Sequence, residues 1–425
     1  MINRWALTLV FFFKNLLASG RGLLLLFPFL WGCATYQSHV RPARELLREG
    51  KATEAAELLR PKASTENGDQ LAYLLDYATI LQIAGRYKES TQAFLQAHEL
   101  AELQDYHSVS RITGSLLLNE EAKQYKGDTF EKVFINAQLA MNFLAVNDLD
   151  AALVEARRIN EKYLKLRSEE PKQFELNSFA KYLSALIWEA HGSFDDAAIA
   201  YEEAYKIDPL ISGIETDLVR ANKMARRESA YSKWKKTFPS VQDDPNWQNR
   251  TTGELIVLVQ QGWGPVKDFA PHDYTWPVLR QSDSRTKTVR LKVEGLPQEV
   301  ESRSVYDVEK AAIQTLEEDR LSLLGRRLLG VAVKDAVAQE LNRKENGLGT
   351  LAWIFMNIAD RADLRQWSML PESIQIVRLS LPPGSYQIHI HGYDGFGIPS
   401  SEQLELQDVQ IFARKKTFRI LRTVR

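Results

Sequence analysis

Residues 189–209 read EAHGSFDDAAIAYEEAYKIDP, and the spacing inside this stretch decides how the first half of the chain folds. Gly192, Phe194, Ala197, Tyr201 and Ala204 follow one another at steps of 2, 3, 4 and 3, and Pro209 closes the run. Steps of three and four are the helical period. The glycine supplies a left-handed turn into the helix. Ala197 is small enough to let a neighbouring helix approach, Tyr201 fills the gap to the next one, and Pro209 cannot continue a helix. The same ladder recurs in LQIAGRYKESTQAFLQA as Gly85, Tyr87, Ser90, Phe94 and Ala97. A weaker copy runs through Asn147, Leu149, Ala152, Ala156 and Ile159, and a partial one starts at Gly50 with Ala55 and Leu59.

These ladders resemble the tetratricopeptide repeat, a helix pair of about 34 residues. The resemblance implies a helical solenoid over 33–240 whose concave wall is lined by fixed positions of each first helix, here Phe134, Ala137, Met141, Phe179, Tyr182 and Leu186. That wall is apolar, and a large apolar patch on a folded protein is normally covered. The expectation is that an inserted helix, a C-terminal segment or a partner packs it; the alternative is an open peptide groove. The gap between the turns at 85 and 147 exceeds one repeat and predicts an extra, irregular helix around Val109–Lys123.

After PNWQNRTTG the pattern changes. ELIVLVQQG, RTKTVRLKVEG, SIQIVRLSL, SYQIHIHGY, EQLELQDVQIFA and KTFRILRTV read as strands by their β-branched content and period-two alternation. Helical spacing returns from Val305 to Asn342 and again in TLAWIFMNIAD, separated by ENGLG. The fold expected is an N-terminal tetratricopeptide-like α-solenoid followed, over 250–425, by an antiparallel β-sandwich domain with an inserted helical hairpin at about 304–360. LSLPPGSYQIHIHG is similar to the Pro-Gly-x-Tyr edge of small prealbumin-like or PEGA-type sandwich modules of envelope proteins.

The N-terminus is unlike the rest. Residues 1–32 carry Arg4, Lys14 and Arg21, no acid, and an apolar run from Leu23 to Trp31 that ends at Cys33, the single cysteine. This is a secretory signal pattern, too short in its apolar run for a permanent membrane span. Leu30, Gly32 and Cys33 resemble the lipobox of bacterial lipoproteins, which implies a signal over 1–32 and acylation of the Cys33 sulfur, palmitate included. Trp31 departs from that pattern, and an ordinary signal or an uncleaved helix stands beside the lipoprotein reading. Ala34 rather than Asp after the cysteine implies, in proteins of this kind, an outer-membrane location facing the periplasm. With one cysteine the exported body has no disulfide and depends on burial for stability. The whole chain has 54 basic and 55 acidic residues, and without Arg4, Lys14 and Arg21 the body is mildly acidic, which argues against a nucleic-acid partner.

Two further strings add a resemblance. YKGDTFEKVFINAQLAMNFLAVNDLDAALVEARRINEKY carries Tyr125, Gly127, Phe130 and Glu131, then Glu155, Arg157 and Arg158; ADLRQWSMLP carries Asp363, Arg365, Trp367, Leu370 and Pro371. Both are similar to elements of an uncharacterised family of bacterial tetratricopeptide-repeat lipoproteins of the cell envelope, a family that implies no catalytic residues. Physically, Asp128 and Glu131 have capping-box spacing. Arg157 and Arg158 are placed to pair with acids of an adjoining helix or to grip a ligand. Asp363, Arg365 and Trp367 read as an ion pair and plug locking the hairpin onto the sandwich, or as a ligand site.

Enzyme signatures are sparse. His389 and His391 share one face of a strand and Asp394 follows, but no third metal ligand is visible, and no nucleophile elbow, phosphate loop or zinc-helix motif occurs. No cofactor is expected. The terminal RKKTFRILRTVR, with Lys415, Lys416 and Arg419, either attracts anionic lipid or polymer or blunts an edge strand. The function expected is a non-enzymatic scaffold or adaptor, membrane-attached through its lipid, with envelope protein partners unknown. The alternatives are an accessory or activator lipoprotein of a cell-wall synthesis or surface-polymer export machine, and a hydrolase using His389, Asp394 or Asp363.

Overall fold

The structure is a computed structural model and describes residues 36–108, 124–168, 177–282, 284–297, 299–317 and 362–425. The signal and Cys33, the helix expected around Val109–Lys123 and most of the hairpin expected at 304–360 lie outside the described residues.

Among the described residues ten helices form five antiparallel pairs: α1 (Tyr36–Arg48) with α2 (Ala52–Ala63), α3 (Gln70–Ile83) with α4 (Tyr87–Ser108), α5 (Thr129–Ala145) with α6 (Leu149–Ser168), α7 (Ser178–His191) with α8 (Phe194–Ile207), and α9 (Ile214–Met224) with α10 (Glu228–Thr237). One device closes every pair. Gly50, Asn147 and Gly192 take φ of 78°, 59° and 87°, as do Gly85 at 72° and Arg226 at 58°. At each, two backbone bonds return into the helix just ended, for example Gly192 N to Glu189 O and Ser193 N to Trp188 O. That is the Schellman closure, which needs a left-handed residue. The fifth pair was hidden in the sequence because an arginine, which is strained at positive φ, holds the glycine's place. Ala78, Ala97, Ala152, Ala156, Ala197 and Ala204 are fully buried where helices touch. The helical half therefore has the tetratricopeptide-like arrangement.

A short turn at Pro245–Gln248 leads to ten strands among the described residues. β1 (Gly253–Gln261), β6 (Arg303–Asp307), β7 (Ser373–Leu381) and β10 (Lys416–Arg422) form one sheet in the order β10-β1-β7-β6. β4 (Thr288–Val293), β5 (Glu299–Glu301), β8 (Gly384–Tyr393) and β9 (Pro399–Ile411) form another in the order β5-β4-β8-β9, and β2 (Val266–Ala270) pairs with β3 (Asp273–Arg280). Two expectations are corrected here. The first sheet is mixed, because β10 runs parallel to β1: the chain leaves β9 at the edge of one sheet and turns a corner at 412–415, with Arg414 at φ 63°, onto the edge of the other, so no hairpin sets its direction. Residues 303–307, expected to open a helical hairpin, are strand β6, and helix follows only from 308.

β1 is buried on both faces, which places the layers. Leu255, Val257 and Val259 share a buried cluster with Val289, Leu291, Ile388 and Ile390 of the second sheet. Ile256 and Leu258, pointing the other way, belong to a second cluster with Ile374, Ile376 and Phe418 and with the helices. The first sheet thus lies against the helical array.

Candidate functional site

The inner wall of the helical array is where a solenoid of this kind would take a ligand. Phe134, Ala137, Met141, Phe179, Tyr182 and Leu186 are all fully buried, with no exposed surface. The chain itself covers them. The Phe134 ring lies 6.3 Å from Tyr306 of β6 and 5.8 Å from Trp367, and Phe179 stacks on Tyr306 at 6.3 Å. Full burial excludes the open-groove alternative, and among the described residues the cover comes from the C-terminal half, through Tyr306 and Trp367; the inserted helix expected around Val109–Lys123 lies outside them.

The Asp363–Trp367 element supplies part of that filling through its tryptophan. Trp367 is 1% exposed, packs on Phe94 at 5.6 Å and donates from Nε1 to Thr79 Oγ1 at 2.8 Å and from its backbone N to Glu131 Oε1 at 3.0 Å. Met369 N donates to Asp76 Oδ1 at 2.9 Å. Arg365 holds Asp363 at 2.7 Å and reaches Asp69 at 2.8 Å. The ion pair and plug are present; they lock onto α3 and α5, and Arg365 O and Gln366 also bond Lys267 of β2 and Pro265 just before it.

Two buried carboxylates receive the plug. Asp76 also accepts from Tyr36 Oη, and Glu131 accepts from Tyr125 Oη at 2.7 Å and, in the capping box, from Asp128 N at 2.9 Å. Burial raises both carboxyls to about 7 against these bonds, because desolvation disfavours the charged form.

A second polar centre lies under β7. Arg378 contacts Glu254 at 2.6 Å, Asp217 at 3.1 Å and Glu189 at 3.2 Å. Arg220 joins Glu189 at 2.9 Å and Asp217 at 2.8 Å, Arg303 reaches Asp217 at 3.0 Å, and Lys416 pairs with Glu189 at 3.0 Å and with Glu254. Tyr182 and Tyr201 donate to Asp217 at 2.6 Å and Glu189 at 2.9 Å. Burial alone would raise these carboxyls, but Arg220, Arg378 and Lys416 hold Glu189 well below the usual range. Arg378 and Lys416 likewise hold Glu254 at about 2, and Arg220, Arg303 and Arg378 hold Asp217 down. The close approach is built in at Gly213, φ 77°, where a Cβ would lie 1.3 Å from Arg303 Nη1. The sequence reading missed this centre. Its available signal was Arg378, in phase with the apolar Ile374 and Ile376 of a strand.

The other candidates have structural surroundings. Gly85, Tyr87, Phe94 and Ala97, and Gly192, Phe194, Ala197, Tyr201, Ala204 and Pro209, form the turns and helix contacts of their pairs or, for Pro209, the chain just beyond α8. Arg158 pairs with Glu155 of its own helix at 2.7 Å, not with an adjoining one, and Arg157 lies 5.6 Å over the Trp188 ring. Glu155 is buried and accepts from Asn136 at 2.8 Å. His389 and His391 are half-buried on β8, Asp394 accepts from Phe396 N and Ile398 N of its own turn, and no group of three metal-ligating side chains occurs among the described residues. Most of the terminal cationic run forms strand β10, with Lys416 taken up in the ion cluster and Lys415 in the corner before it. An apolar cavity of about 360 Å³ lies between β3 and helix 308–317, lined by Trp276, Leu279, Ile313 and Leu316. Among the described residues no helix is long and apolar enough to cross a membrane.

No protein-family profile and no curated protein matches the chain. Solved structures similar to part of it include MamA from Desulfovibrio magneticus RS-1, at 15% identity over 48% of this chain and 91% of that one, TM-score 0.32. Another is the putative kinesin light chain of Podosopora anserina with nearly identical TPR-like repeats, at 16% identity over 48% of this chain and 93% of that one, TM-score 0.33.

Proposed function

We propose that the protein is a non-enzymatic adaptor of a bacterial envelope, anchored to the outer membrane by lipid on Cys33 and facing the periplasm, in which a β-sandwich seated on the solenoid's inner wall leaves partner binding to outer surfaces. The burial of Phe179 and Tyr182 carries this reading, since it removes the usual peptide groove. The tip between β8 and β9 offers a surface of the required kind. Phe396 and Ile398 there are 92% and 60% exposed, on a turn pinned by Asp394. A rigid exposed aromatic costs little entropy on docking and suits an interface anchor. A photo-crosslinking residue at 396, used in intact envelopes, is expected to capture a defined protein, and one at 179 to yield intramolecular products alone. A captured protein at 179 would sink the reading. Mass spectrometry of the mature N-terminus tests the anchor separately: an unmodified Cys33 still joined to Gly32 removes it.

A further inference from the structure

Three arginines crowd one indole at the seam where α1 meets the ends of β1 and β10. The guanidinium carbons of Arg44, Arg422 and Arg48 lie 4.6, 5.3 and 5.4 Å from the Trp263 ring centre. Arg44 and Arg422 are each 8% exposed, and Trp263 is 2% exposed. Arg44 Nε and both Nε and Nη1 of Arg422 are buried without a hydrogen-bond partner. Their satisfied donors reach neutral oxygens only: Arg422 Nη2 to Leu370 O at 3.2 Å and Arg44 Nη2 to Ser282 Oγ at 3.5 Å. The nearby carboxylates are committed elsewhere, Glu402 to Val424 N and Arg425 N and Asp76 to the plug.

Such a cluster is out of balance as it stands. Arg44 and Arg48 are like charges one helical turn apart, which repel, and burial with neighbouring cations lowers Arg44 to about 10 and Arg422 to about 9. One indole face offsets roughly one cation, weakly. Buried charges are normally paired, and buried donors normally bonded.

We propose that Arg44, Arg48 and Arg422 around Trp263 form a binding site for a phosphate-class oxyanion. Three guanidiniums gathered round one ring, two from α1 and one from the end of β10, suit a tetrahedral oxyanion of one or two negative charges; a carboxylate is satisfied by one planar fork. Arg48 is exposed at the end of α1 and marks the mouth, and Arg422 the floor. The anion comes either from a soluble phosphate compound or from a lipid headgroup, and in both cases it ties α1 to the last strand.

The test uses the full mature chain in thermal unfolding and calorimetric titration, with inorganic phosphate against chloride at matched ionic strength. Phosphate is expected to raise the wild-type midpoint. Arg48→Gln, a surface change that leaves the fold intact, is expected to weaken phosphate at least about tenfold. Arg422→Met is expected to abolish the phosphate shift while raising the phosphate-free midpoint, because it removes an unpaired buried charge. Equal midpoints in phosphate and chloride, or a shift unchanged in both variants, would overturn the site. Flotation of the unacylated Cys33→Ala chain on phosphatidylglycerol against phosphatidylcholine vesicles identifies the source. Binding to the former that is lost in Arg48→Gln and competed by phosphate points to a headgroup; phosphate binding without it points to a soluble compound.

Discussion

Trp367→Ala is the substitution that bears most on how the two halves are joined. The indole is 1% exposed, wedged between Phe94 and Phe134 and bonded to Thr79. A side chain of this size removes on the order of 200 Å² from water, about 5 kcal/mol at ~25 cal/mol per Å², and aromatic-to-alanine changes in packed cores cost about 3–5 kcal/mol. Trp367→Phe separates the terms. It keeps a ring against Phe94 and Phe134 and loses the Nε1–H bond, while Thr79 Oγ1 still donates to Leu75 O at 2.8 Å, so its cost should be about 1 kcal/mol. Urea unfolding followed by far-UV circular dichroism reads both. The expectation is a loss of about 4 kcal/mol for the alanine variant, with one wild-type transition splitting into two as the sheets detach from the helices. A loss under about 1 kcal/mol, with a single transition kept, would show that the plug does not join the halves and would refute the reasoning.

Asp76 and Glu131, raised to about 7 by burial, bind protons in the folded state at pH values where unfolded carboxyls have lost them. Stability should therefore rise as pH falls through about 7 towards 4, by up to ~1.4 kcal/mol per pH unit per proton. His98, held down to about 4 by burial and Lys162, works against this below its unfolded value, and Glu189, Glu254 and Asp217 withdraw stability only at lower pH. Urea midpoints between pH 5 and 8 should slope less in Asp76→Asn/Glu131→Gln than in wild type; identical slopes would contradict the assignment. Arg226→Gly relieves a side chain at positive φ and should stabilise by about 0.5–1 kcal/mol, whereas Gly192→Ala at φ 87° should destabilise by about 1 kcal/mol. Denaturant midpoints of opposite sign check the pair.

What could be read in advance follows from local chemistry. Gly50, Gly85, Asn147 and Gly192 announce their turns because few other residues accept a left-handed backbone, and all four adopt it. Arg226 adopts the same conformation and gives no sign of it, so one helix pair went unread. The apolar inner wall signalled that something must cover it, but not what: β6 and Trp367 reach Phe134 and Phe179 from far along the chain, and no local period records such pairing. Arg378 and Lys416 met Glu189 and Asp217 for the same reason. A strand shows its inward arginine, but the partners are set by how the sheet docks. The parallel direction of β10 depends on a corner between sheets, which turn chemistry alone does not specify.

The central claim, that the chain fills its own groove, is most directly tested by thiol accessibility. Ala137 on the inner wall is fully buried and Phe396 is 92% exposed, and Cys33 is the sole native cysteine. With Cys33 blocked or replaced, a cysteine at 137 should react with a maleimide at least about a thousandfold more slowly than one at 396, because it is reached only by opening the fold. Comparable rates at the two positions in the folded protein would contradict the account.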